Sequence, residues 1–331
     1  MLRITVSSAS QLKLFPEIHH ATFAWDGPRG YDFAPEILKL ARQKPGLKFD
    51  IGSVTQTGGI EALAKSVQRE RLVLEYPDLP ARYLAHAARA GFAEPSQYRR
   101  MITHRKIDTH WHTSQWGIGF EPRSIAEYLL ADMTRFRLDY AIFSDIRALE
   151  GDLSGGNAIC AKLCSRDNRV RGLVVINPTM ITRSLAEIEK YQHLAVGIKT
   201  IQDEFEGGLL HPGYREILNS VPSHWPFMAH LGGLRELARA LPDRIFIAAH
   251  STWDWRSLVG LPNIYFDIAT SARHDLTDLV KTCPHRVLFS SDAPLISPVF
   301  TLGKLAALEL DDATLDAILY RNAAKLFNLP L

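Results

Sequence analysis

A chain of 331 residues can bury a large core and leaves room for one barrel-sized domain with an added segment, or for two ordinary domains. A hydrophobic share of 46% and a charged share of 22% belong to a soluble globular protein and exclude disordered and fibrous classes. The formal net charge of +2, carried by scattered basic residues, offers no attraction for nucleic acid. No apolar run approaches the roughly 18 residues of a membrane span and MLRITVSSASQLK lacks a signal-peptide core, so no membrane partner and a cytoplasmic location are expected.

The first hundred residues carry no eight-unit pattern of their own, yet they repeat part of the C-terminal half of the chain. His19–Asp26 (HHATFAWD) matches Ala248–Asp254 (AAHSTWD), and Lys48–Ser53 (KFDIGS) matches Tyr265–Thr270 (YFDIAT). Leu63–Ser66 (LAKS) matches Leu279–Thr282 (LVKT), and Arg71–Pro80 (RLVLEYPDLP) matches Arg286–Pro294 (RVLFSSDAP). Four matches in one order predict that residues 1–104 are a degenerate α/β half-barrel. An unrelated α/β extension covering the barrel is the competing reading. The segment has no HxH pair, so it is expected to hold no metal, with His19 and His20 vestigial. A half-barrel leaves strand edges open, so it should dock on the barrel or on a second subunit, the latter giving a homodimer.

Residues 105–331 alternate short apolar runs with longer amphipathic stretches, the pattern of βα units around a buried parallel sheet. Strands are predicted over Lys106–Thr113, Asp139–Asp145, Val170–Pro178, Leu194–Gln202, Pro226–Gly232, Ile245–Ser251, Asn263–Ala269 and Val287–Pro294. Helical patterns such as SIAEYLLADMTRF, SLAEIEKYQ, YREILNSV, LRELARAL and LTDLVKTC lie between them, and LDAILYRNAAKLF closes the chain. Eight such units in about 225 residues give the α/β fold class and a (β/α)8 TIM barrel. His110, His112, Asp145, Lys199, His230, His250 and Asp292 all fall near the C-terminal ends of the predicted strands, the catalytic face of a barrel. Cys160 and Cys164, four apart on a helix, and Cys283 read as small buried hydrophobes.

In IDTHWHT the two histidines are separated by one residue, so alternation along a strand puts His110 and His112 on one side, where both can reach one ion. Such a pair is weak by itself. PFMAHLGG and IFIAAHST add two apolar strands that each end in a histidine, His230 and His250, and burying imidazole among aliphatic residues demands partners for its nitrogens. RVLFSSDAP ends on Asp292, a carboxylate that needs a positive partner or strong donors; a metal ion fits.

Taken in order, IDTHWH, VGIK, MAHLGG, IAAHS, VLFSSDAP and the closing RNAAKLFNL resemble the amidohydrolase superfamily over residues 106–329. Within it they are similar to the amidohydrolase-related branch that includes aminocarboxymuconate-semialdehyde decarboxylase-like enzymes. The resemblance implies a mononuclear divalent metal held by His110, His112, His230 and Asp292, with zinc favoured by ligand type and manganese or iron able to take the same set. It also implies that His250 acts in proton transfer beside the metal, a role that Asp292 could share. Lys199 has two readings of equal weight: a free ammonium for a substrate carboxylate or a neighbouring acid, or a structural partner of Asp145 or another barrel carboxylate. In binuclear members of the superfamily the corresponding lysine is a carbamylated bridge. The chain departs from the branch at Thr113 and Ser114, where glycine is common, and at Thr200 and Ile201, where histidine-proline is common; both positions border the pocket and bear on substrate preference.

Trp116 and Trp253 are candidates to wall an aromatic pocket, and Arg147 or Arg273 could grip a substrate carboxylate, although core packing and surface ion pairs are the commoner uses of such residues. The expected activity is that of a metal-dependent hydrolase activating water against a small lactone, amide or related carboxylate-bearing molecule. The alternative is a metal-dependent, non-oxidative decarboxylase of an aromatic or enoic acid, which uses the same fold and ligands. An inactive barrel serving as a scaffold is the reading from another class.

Overall fold

The computed structural model describes residues 3–6, 22–25, 39, 42–50, 72–73, 101, 104–114, 126–201, 206–230, 232–251, 254–269, 271, 273–295, 298–306, 308 and 310–330. The chain divides into two compact units, one of residues 1–103, 118–123 and 293–310 and the other of residues 104–117, 124–292 and 311–331. The first carries a parallel sheet in the order β1 (Arg3–Val6), β2 (Thr22–Trp25), β3 (Lys48–Asp50) and β4 (Leu72–Val73). In it Phe49 stands opposite Leu72 and Asp50 opposite Val73. The residues matched to them by sequence pair in the same register, Phe266 with Val287 and Asp267 with Leu288. Leu63–Ser66, His19 and His20 lie outside the described residues.

In the second unit eight parallel strands follow one another in chain order: β5 (Lys106–Thr113), β6 (Leu138–Asp145), β7 (Val170–Val175), β8 (Ala195–Lys199), β9 (Phe227–Ala229), β10 (Phe246–Ala248), β11 (Ile264–Asp267) and β12 (Val287–Leu288). The last strand returns to the first. The Thr109 N–H donates to Phe289 O at 3.1 Å and the Asp292 N–H to His110 O at 2.9 Å, which joins the ends of the sheet into a TIM barrel. Helices α1 (Ala126–Phe136), α2 (Ile146–Leu149), α3 (Leu153–Arg166), α4 (Ile181–Tyr191), α5 (Pro212–Asn219), α6 (Leu234–Ala240), α7 (Trp255–Leu258) and α8 (Arg273–Thr282) fill the connections. No helix among the described residues is long and apolar enough to cross a membrane.

Because strands covered on both faces bury every side chain, they read as continuous apolar runs, and Phe246, Ile247 and Ala248 are all fully buried. Ile107, Ile142, Leu173, Met228, Ile247 and Leu288 form one cluster with Tyr320, Ala323, Phe327 and Leu329, so the C-terminal segment packs on the barrel core. Side-chain oxygens fix the helix starts: Asp152 accepts from the Gly155 N–H to cap α3, and Asp145 accepts from the Arg147 N–H to cap α2. Cys160, Cys164 and Cys283 are buried free thiols.

The strands begin where the apolar runs begin, but several end sooner than the sequence pattern predicts: β9 stops at Ala229, β10 at Ala248 and β12 at Leu288. His250 (φ +54°) and Asp292 (φ +63°) occupy the left-handed region, which non-glycine residues enter at a cost and which interrupts a ladder. His250 and Asp292 thus leave their strands, whereas His110 and His112 stay within β5 and Lys199 ends β8.

A Cβ on Gly197 in β8 would lie 2.6 Å from Pro226 O and 3.0 Å from Leu173 Cδ2. A backbone oxygen in a packed strand cannot step aside cheaply, so Gly197→Ala is expected to cost about 2 kcal/mol. A urea midpoint lowered at unchanged slope would report it.

Candidate metal centre and active site

The described site residues converge at the C-terminal mouth of the barrel. A bulge between Asp108 and Trp111 re-aims the end of β5, and His110 Nε2 and His112 Nε2 come to 3.0 Å from each other. Asp292 Oδ1 stands 3.5 Å from His110 Nε2 and 3.3 Å from His112 Nε2. Donors held about 2.0–2.1 Å from a tetrahedral zinc stand about 3.4 Å apart, so these spacings suit one ion. His250 Nε2 lies 3.9 Å from Asp292 Oδ2, and the His230 ring is 5.2 Å from the His250 ring, centroid to centroid. His110, His250 and Asp292 offer ligand atoms that all fall within 4.8 Å of one another.

The hydrogen bonds on the far sides of the rings decide which nitrogens are available. His110 Nδ1 is 2.5 Å from Asp267 Oδ2, a buried carboxylate that can only accept, so the proton sits on Nδ1 and Nε2 keeps its lone pair. His112 Nδ1 is 3.2 Å from Ser144 O, which places its proton in the same way. Both lone pairs therefore turn toward Asp292. Burial pushes the His112 imidazole down to about 4 and the His250 imidazole down to about 3, so at neutral pH both are uncharged, the form that binds metal. Burial works to raise the Asp267 and Asp292 carboxyls, but the surrounding imidazoles hold both well below the usual range. A neutral imidazole pair facing a buried carboxylate is a donor set that fits a divalent transition metal.

Lys199, fully buried at the end of β8, places Nζ 2.7 Å from His110 Nε2 and 3.3 Å from Met228 Sδ. Burial lowers it to about 8, against the pull of Asp292 and Asp267, so it still carries charge at neutral pH. Asp145, its sequence-predicted structural partner, is engaged elsewhere: it accepts from Thr113 and Ser114 at 2.7 Å each and from the Arg147 N–H at 3.0 Å. Arg147 is half-exposed and pairs with Asp152. An exposed pair of this kind contributes little, so Arg147→Ala should move stability by no more than about 0.5 kcal/mol, as thermal unfolding would measure. Trp116 and Trp253 lie outside the described residues.

The family model described as Amidohydrolase matches residues 107–329. The chain belongs to the amidohydrolase family. No curated protein matches it. Among solved structures, it is similar in fold to 2,6-dihydroxybenzoate decarboxylase from Rhizobium (16% identity, TM-score 0.51, 68% of this chain and 98% of that one). It is likewise similar to 5-carboxyvanillate decarboxylase from Sphingomonas paucimobilis (14% identity, TM-score 0.53, 68% and 99%). A third is 5-carboxyvanillate decarboxylase from Novosphingobium aromaticivorans, solved with manganese and 4-hydroxy-3-methoxy-5-nitrobenzoic acid (14% identity, TM-score 0.53, 69% and 97%).

Two buried carboxylates of this amidohydrolase barrel were passed over in the sequence. Asp267 sits in YFDIAT and Asp108 in IDTHWH, each inside an apolar strand, and the demand for partners that singled out Asp292 applies to both. Asp267 Oδ1 accepts from Ser290 Oγ at 2.8 Å and from the Ala269 N–H at 2.9 Å. Asp108 accepts from Ser291 Oγ at 2.6 Å, the Ser291 N–H at 3.0 Å and the His110 N–H at 3.2 Å, tying the first strand to the loop that carries Asp292.

Burial pushes the Asp108 carboxyl up to about 8 despite these donors. A carboxyl raised in the fold contributes stability that is complete below its unfolded value, near 4, and is lost as pH rises through about 8. Between pH 5 and 8 the denaturation midpoint of the wild type is therefore expected to fall more than that of Asp108→Asn, which keeps the shape and cannot ionise.

Proposed function

We propose that this amidohydrolase is a metal-dependent, non-oxidative decarboxylase of a small aromatic or enoic acid. The observation that carries the reading is the buried ammonium of Lys199 inside the cluster. Asp292 and Asp267 contribute two negative charges, Lys199 one positive charge and a divalent ion two more. The sum of +1 is balanced by one substrate carboxylate, and a low-dielectric site favours the ligand that neutralises it. A neutral lactone or amide brings no such charge, and hydrolysis would need a hydroxide from solvent to supply it. The reactions named for the similar folds support the same reading, and the hydrolase expected from the sequence would use the same residues.

His110, His112, His230 and Asp292 are the residues proposed to hold the ion, with manganese, iron and zinc all compatible with the donors. An ion held there would supply Lewis acidity toward the acid's oxygens. Lys199 Nζ binds the carboxylate and sets its orientation. Loss of CO₂ from R–COO⁻ leaves an electron pair on carbon that must take up one proton. His250 Nε2 is the atom proposed to take a proton from solvent water and deliver it, since an incoming anion raises the proton affinity of a neighbouring imidazole, and Asp292 Oδ2, 3.9 Å away, would stabilise the imidazolium.

The test is a substrate panel of hydroxybenzoates, enoic acids, lactones and amides with the manganese- or zinc-loaded protein, run in deuterated water. CO₂ release with one deuterium placed on the former carboxyl carbon is the expected result. Ring opening of a lactone or cleavage of an amide, with no CO₂ from any acid, would return the assignment to hydrolysis.

A further inference from the structure

A cavity of about 190 Å³ lies at the C-terminal ends of β6, β7 and β8, with Leu149, Leu153, Val175, Asn177, Thr200 and Ile201 in its walls. Strand register relates it to the histidine–aspartate cluster. Val175 stands opposite Lys199 across β7 and β8, and residues opposite one another in a sheet face the same side. Lys199 faces the barrel axis, where it meets His110, so Val175 does too. Asn177 and Ile201 come two residues further along the same two chains, which the Ile176 N–H holds together by donating to Lys199 O at 3.0 Å. The cavity therefore lies just beyond Lys199 along β7 and β8, with Ile176 and Thr200 also in its walls.

Its chemistry is mixed in a definite way. Leu149, Leu153 and Val175 belong to one buried apolar cluster against which Ile201 packs. The Thr200 hydroxyl is already engaged with Tyr214 Oη at 2.8 Å. The Asn177 carboxamide oxygen accepts from the Thr179 N–H at 2.9 Å and from Thr179 Oγ1 at 2.7 Å, which leaves the amide nitrogen as the end of that group free to donate to a ligand. Protein interiors keep few voids larger than a water molecule, and an aliphatic cavity of about 150 Å³ takes up a benzene ring.

We propose that this cavity seats a ring-sized hydrocarbon group of the substrate, separate from the reacting acid and carrying one acceptor oxygen for Asn177. For the acid group the proposal rests on the decarboxylase reading; the cavity itself does not. The preferred acid is thus larger than a simple benzoate: its carboxylate lies on the Lys199 side and its arm points toward β6 and β7.

The probe is cyclohexanone, a neutral ring with one acceptor oxygen and no need of the metal, followed by ligand-observed NMR titration of the full chain. Ile201→Trp fills the cavity and should weaken binding at least tenfold, and Asn177→Leu should weaken it severalfold. Unchanged thermal unfolding checks that each variant is folded. His110→Ala should leave binding unaltered. In turnover, KM for an acid bearing a cyclohexyl ketone arm should rise about tenfold in Ile201→Trp, and by more than KM for a one-ring acid. Equal cyclohexanone affinity in wild type and both variants, or no binding to the wild type, overturns the proposal. Binding that is lost in Ile201→Trp while no acid is decarboxylated would overturn the decarboxylase reading and leave the cavity's role standing.

Discussion

Asp292→Ala should bring the metal content of the purified protein from about one equivalent to none, with activity falling to background. Asp292 Oδ1 is near both His110 Nε2 and His112 Nε2, and its charge would offset Lys199 and a bound ion in a buried site. Without it, neutral imidazoles would have to hold a dication beside an ammonium, at a high electrostatic cost. The fold should survive, because the bond that closes the barrel here runs from the backbone N–H of Asp292 to His110 O and needs no side chain. Elemental analysis with circular dichroism checks both halves. His110→Ala should lose the ion as well. An equivalent of metal retained in Asp292→Ala would place the ion elsewhere.

A subtler change should also weaken metal binding. Asp267→Asn is expected to lower affinity for a divalent ion by about 10- to 100-fold. The position of Asp267 Oδ1 is fixed by two donors, Ser290 Oγ–H and the Ala269 N–H, so an asparagine should place its carbonyl oxygen there. Its NH₂ then faces His110 Nδ1, which must accept, and the imidazole proton moves to Nε2, the atom that would bind metal. ¹⁵N chemical shifts of the ring in metal-free protein would report the tautomer directly, and competition with a chelator would give the affinity. A purely structural role for Asp267 would lower stability and leave the His110 tautomer as it is.

The period of apolar residues is a property of the chain alone, and so the eight strands, their order and the barrel could be read in it. Alternation along β5 puts His110 and His112 on one side whatever surrounds them, and apolar strands ending in a polar residue singled out His230, His250 and Asp292, to which the family resemblance gave roles. What the chain could not state is which groups meet once the barrel closes. His110 and Asp267 are 157 residues apart, and their bond exists only because the first and seventh strands deliver both side chains to the axis. Closure likewise settled that Lys199 meets His110 while Asp145 is taken by Thr113 and Ser114. It also set the left-handed backbone at His250 and Asp292, where the apolar pattern had prolonged the strands. Local periodicity fixes which way a side chain points along its own strand, whereas partner, protonation and cavity depend on non-local contacts that no single stretch of sequence contains.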